Sequence, residues 1–152
     1  MPKIYLASPL GFSPEYRSYL ERVKNRIIEL GYEIFDPWSL HFGEVLHEAS
    51  QIEDHYERVA TYDRIAGEIG EANENGIRES DMLLAVLDGA EVDSGTAAEV
   101  GFAAGLGRPV HALRTDWRDC GDYIGLPVNL QIMHFIRRSG GKLFRRIEEI
   151  EF

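Results

Sequence analysis

Short apolar runs separated by helix-length amphipathic stretches organise this chain. The first run, "KIYLA" (3–7), is β-rich and ends at Ser8 and Pro9, which predicts a strand. Ser13 followed by Pro14 marks a helix start; Leu20, Val23, Ile27 and Leu30 then recur at helical spacing until Gly31 ends the helix. "YEIFDP" (32–37) predicts a second strand, closed by Pro37. Strand, helix and strand with short connections favour a parallel sheet. "MLLAVL" (82–87) is apolar throughout, as a fully buried central strand is, and "RPVHALR" (108–114) predicts another. The pattern places a last short strand at "LQIMHFI" (130–136) and a closing amphipathic helix over "GKLFRRIEEIEF" (141–152).

Between the later strands, "DRIAGEIGEANENGIRESD" (63–81) predicts a helix weakened at its glycines, and a second helix follows Asp93. Residues 38–62 break the rhythm. They have no clean period, and a stretch this long inside one domain reads as a lid, part of it helical. Residues 116–129 are loop-like. The sum is an α/β fold, an open doubly wound, flavodoxin- or Rossmann-like sheet of about five parallel strands with helices on both faces. One domain is expected over 1–152. Ligands of such sheets sit at the carboxyl ends of the strands, and Ser8, Asp36, Asp88 to Asp93 and Arg114 all follow predicted strands.

Charge narrows the partners. With 26 acidic and 16 basic residues the net charge is −10, which argues against a nucleic-acid polymer but not against a small neutral ligand. The basic cluster "RRSGGKLFRR" reads as a solvated flank. No apolar run approaches the roughly 20 residues a bilayer requires. The N-terminus lacks the three regions of a signal peptide, and Cys120 is the only cysteine, so a reducing, cytoplasmic setting is expected.

The chemistry concentrates in "DGAEVDSGTAAEVGFAAGLGRP" (88–109). Thr96 and Glu99 fit the S/T-x-x-E capping box, in which both side chains serve the helix start. The same position puts Glu99 at the rim of the ligand crevice, where a carboxylate can attack an electrophilic carbon. Spacing alone leaves both readings open. No G-x-G-x-x-G and no G-x-x-x-x-G-K-[ST] is present; Gly101 and Gly105 fall inside the helix and are expected to permit close packing. Asp88, Glu91 and Asp93 would repel a phosphate, so a dinucleotide is not expected; separately, no other cofactor is expected. His41, His47 and His55 lack the i, i+4 spacing of a helical zinc site, and no metal is expected. Trp38 and Phe42 suit either core packing or stacking on a base.

Four motifs, "IYLASPLGF" (4–12), "NENGIRESDMLLAVLDG" (73–89), "DSGTAAEVGFAAGLGRPV" (93–110) and "GLPVNL" (125–130), together resemble the nucleoside 2-deoxyribosyltransferase family. The resemblance implies an enzyme that moves 2-deoxyribose between nucleobases, with Glu99 as nucleophile on C1′ and Tyr5 holding it in place. Asp93 would contact the sugar hydroxyl or the leaving base. Asn73 stands where relatives carry Asp or Asn against the base; as an amide it donates no carboxylic proton, so protonation of the leaving base falls to Asp93 or a water. Ser8, Gly95 and Gln131 join the implied substrate-binding set, Gln131 standing where some relatives have Met. Asn129 would reach a neighbouring subunit's site, which implies a homo-oligomer. The alternatives are an N-glycosidase acting on deoxynucleosides or their 5′-monophosphates, and a non-catalytic nucleotide-sensing module.

Overall fold

The computed structural model describes residues 1–152. Strands β1 (Lys3–Ala7), β2 (Glu33–Phe35), β3 (Met82–Val86), β4 (Val110–Leu113) and β5 (Leu143–Phe144) form one sheet, ordered β2-β1-β3-β4-β5, with every pairing parallel. Alternate side chains of each strand face opposite layers. Tyr5 and Ala7 of β1 and Leu83 and Ala85 of β3 pack beneath α3 (His55–Glu79), α4 (Ser94–Gly105) and α5 (Leu130–Arg138). Ile4, Leu6, Leu84 and Val86 point the other way, against α1 (Arg17–Glu29) and the C-terminal residues Ile147 and Ile150. Strand order reverses between β1 and β3, and that switch point is where an open sheet leaves room for a ligand.

The C-terminal assignment is corrected. Residues 130–136 form α5, not a strand: Ile132, Met133 and Ile136 are buried on one face while Gln131, His134, Arg137 and Arg138 are exposed. Asn129 starts this helix, its side-chain carbonyl accepting from the Gln131 N–H at 2.9 Å. Over so short a run, the β-branched content outweighed the spacing. The fifth strand is Leu143–Phe144, and the expected closing helix shrinks to one 3₁₀ turn, Ile147–Glu149. Gly141 makes this possible, since a Cβ there would collide with the Val110 carbonyl of the neighbouring strand. By contrast, a Cβ on Gly101 would only make ordinary contact with Phe135, and Gly105 has nothing near it. Neither glycine is required for the packing expected of it.

Residues 38–62 are more regular than their pattern suggests. A 3₁₀ turn (Pro37–Ser39) leads into α2 (Phe42–Ser50), and α3 begins at His55, earlier than the expected residue 63. Asp54 caps α3 by accepting from the Glu57 N–H at 2.8 Å. The first two turns of α3 bury no side chain, so no apolar stripe announces them. No helix is long and apolar enough to cross a membrane.

Candidate active site

Burial forces polar groups at the end of β1 and at the start of α4 to find partners. Tyr5 is fully enclosed, stacked on Phe35 with ring centroids 5.4 Å apart, and its hydroxyl donates to Glu99 Oε1 at 2.6 Å. Residues 94 apart in sequence therefore share one hydrogen bond across the switch point. The second Glu99 oxygen has no partner in the protein. Asp93, not Thr96, caps α4: its Oδ2 accepts from the Thr96 N–H at 2.9 Å and the Thr96 hydroxyl at 3.1 Å. This removes the capping-box reading of Glu99, which lies too far into the helix to reach an unpaired N–H.

Glu99 faces a cavity of about 370 Å³. Ser8, Asn73, Asp93, Gly95, Thr96 and Glu99 line one side; Phe12 and Ile69 join six residues of the 37–46 segment to close the rest. Five of the eight site residues implied by the resemblance thus meet in one place, with Tyr5 directly behind Glu99. Asn73 Oδ1 is buried without a hydrogen-bond partner. Ser8 is used twice by the scaffold, its hydroxyl accepting from the Leu10 N–H and its carbonyl from Trp38 Nε1. Asn129 and Gln131 lie outside this cavity; Asn129 Nδ2 donates to Asp122 at 3.3 Å.

Other strand-end groups are occupied structurally. Asp88 accepts from the Tyr19 hydroxyl and from the Thr115 and Asp116 N–H groups. Arg114 is wholly buried and donates to the carbonyls of Leu87, Gly89 and Arg118. No group of three or more His, Cys, Asp or Glu side chains gathers as a metal site. Trp38 and Phe42, singled out for packing or stacking, line the cavity together with Leu40 and Leu46, which the sequence did not mark. Their signal was indirect: four large apolar side chains in a segment with no helical stripe to place them in the core.

Burial pushes the Glu99 carboxyl above the ordinary glutamate range, the Tyr5 hydrogen bond works against that rise, and the nearby charge of Asp93 adds to it. Burial, with the Glu99 charge and hydrogen bond, also drives the Tyr5 phenol far up, so Tyr5 remains a donor. Tyr5→Phe removes the one influence that lowers the Glu99 carboxyl. Carbon-13 NMR titration of Glu99 is therefore expected to move to still higher pH in that variant; an unchanged midpoint would mean that the bond is absent in solution.

Similar structures agree with this architecture. A protein from Enterococcus faecalis V583 is 26% identical, covers 98% of this chain and 94% of its own, and superposes with a TM-score of 0.66. A 2-deoxyribosyltransferase from Bacillus psychrosaccharolyticus is 23% identical, with 99% and 93% covered and a TM-score of 0.61. A CMP N-glycosidase from Clostridium botulinum shares the fold at 16% identity, with 97% and 92% covered and a TM-score of 0.54. No curated protein matches the chain. The family model for nucleoside 2-deoxyribosyltransferases spans residues 4–131, from β1 through both walls of the cavity to the start of α5, and the chain belongs to that family.

Proposed function

We propose that the protein transfers 2-deoxyribose between nucleobases through a covalent deoxyribosyl ester on Glu99. The observation that carries this reading is the Glu99 carboxylate, fixed through Oε1 by Tyr5 while its other oxygen is unpartnered at the cavity. In the first step that oxygen attacks C1′, the C1′–N bond breaks, and the leaving base takes a proton from Asp93 or a water. In the second, a ring nitrogen of the incoming base attacks C1′, the ester bond breaks, and the base returns a proton to the group that protonated the leaving base. Two displacements at one carbon retain its configuration. Tyr5 keeps the carboxylate aligned between the steps, so little reorganisation is needed at either.

Asn73 fits a role against the base, because its buried carbonyl oxygen lacks a partner that a base N–H would supply. Asp93 and Ser8 suit the sugar hydroxyls, and Gly95 leaves the start of α4 open beside them. Residues 37–46 act here as the wall beside the base. Asn129 and Gln131 do not reach the cavity of their own chain, so their part in the site is assigned to a second copy in a homo-oligomer.

Water as acceptor gives the rival N-glycosidase. The apolar wall from Phe12 and the 37–46 segment favours a base over water in the second step. No Lys or Arg lines the cavity, and two carboxylates do, which favours a nucleoside over its 5′-monophosphate. Incubation with deoxyinosine and adenine tests the set. New deoxyadenosine is expected; free hypoxanthine without new nucleoside would replace transfer with hydrolysis. No product from purine or pyrimidine donors would overturn both.

A further inference from the structure

Trp38 is held more firmly than a wall residue needs to be. Its Nε1–H donates to the Ser8 carbonyl at 2.7 Å, and its backbone N–H donates to Asp36 Oδ1 at 3.0 Å. Asp36 is itself enclosed and ion-paired with Lys24 at 2.8 Å. The indole lies against Gly11, where any Cβ would run into the ring, and meets the Phe12 ring edge-on at a centroid distance of 4.5 Å and 75°. Despite these four contacts, 38% of the residue is exposed, and it lines the cavity beside Glu99. An aromatic ring fixed on one side and open on the other is preorganised to take a flat partner.

We infer that Trp38 is the platform on which the nucleobase lies, and that through it the site prefers purines to pyrimidines. This rests on the deoxyribosyl-transfer reading for the identity of the ligand. If C1′ approaches Glu99, the sugar occupies the polar lining on α4, and the base extends toward the 37–46 segment. The only indole donor is consumed by Ser8, so the ring offers a π-face and no hydrogen bond. Along the base, the cavity then supplies one amide, Asn73, and otherwise apolar contact. Such a site recognises area more than edge pattern. A bicyclic base covers more of the indole than a single ring does, and a pyrimidine finds few groups for its polar edge.

The protein has two tryptophans, and Trp117 is 91% exposed, outside the cavity. Trp117→Phe therefore leaves Trp38 as sole fluorescent reporter. Titration of that variant with adenine is expected to quench the emission saturably, with a dissociation constant about tenfold below that for cytosine. In exchange assays Trp38→Ala should raise KM for adenine by about ten- to a hundredfold and for cytosine much less, while Trp38→Phe keeps the purine preference. Should Trp38→Ala fail to fold, the Trp117→Phe titration and Trp38→Phe still decide. Silent fluorescence at adenine concentrations that saturate exchange, equal KM changes for the two bases, or tighter cytosine binding would each overturn the inference. Quenching by adenine without any base exchange would uphold the platform and overturn the transfer reading instead.

Discussion

Glu99→Gln is expected to lower base exchange by roughly 10⁴-fold or more while the protein still folds. The amide keeps an oxygen for the Tyr5 hydroxyl, so the bond between β1 and α4 survives. What disappears is the anionic oxygen that would form the ester, and no other cavity residue has a tyrosine-fixed carboxylate to replace it. The variant also has a stability signature of defined sign. The Glu99 carboxyl is raised in the folded protein, so folding favours its protonated form. That contribution is fully present below the ordinary glutamate value and is lost as pH rises through the folded one. Glu99→Gln, which never ionises, should therefore gain stability relative to the parent across that interval and keep the gain at neutral pH. Denaturant melts at pH 4 and pH 7 measure the change. Exchange within tenfold of the parent would remove Glu99 from the chemistry.

Asp93 separates into two jobs with two substitutions. Asparagine caps a helix about as well as aspartate, so Asp93→Asn should hold stability within a few tenths of a kcal/mol, whereas Asp93→Ala should lose about 1 kcal/mol. Both should lose exchange by about 10²- to 10³-fold if Asp93 handles the proton of the leaving base. The comparison matters because the carboxylate visibly serves α4 through Thr96. Full activity in Asp93→Asn would reduce Asp93 to a cap and leave the leaving base to water. Rates with donors whose bases leave readily, measured alongside, should fall least.

The central strands were legible because burial on both faces writes an uninterrupted apolar run, as in "MLLAVL". The segment after residue 129 was not, since β5 buries one residue and α5 three, too few to display a period. The first turns of α3 carry no apolar stripe because no side chain there is fully buried. At the site, local spacing could not place the cap: Thr96 and Glu99 match a capping pattern, yet the cap is Asp93, three positions earlier. Only the combination of four distant motifs pointed to Glu99 as more than a helix-end residue. Tyr5 belongs to the same lesson, for its partner is 94 residues away and no local pattern connects them. Trp38 shows the opposite limit: its residue type suggested stacking, but its attachment to Ser8, Gly11 and Asp36 exists only in the folded chain.

The two walls of the cavity differ in what holds them. The wall with Glu99 is α4, which sinks Thr96, Val100, Ala103 and Ala104 into the core, above loops tied down by the enclosed Arg114. The opposite wall continues into α2, which buries Ala49 alone. Local opening follows the least buried contacts, so α2 comes away from the body at far smaller cost than α4 does. The two walls of the cavity are therefore of unequal stiffness. Warming or mild denaturant should raise amide hydrogen exchange in α2 well before it does so in α4.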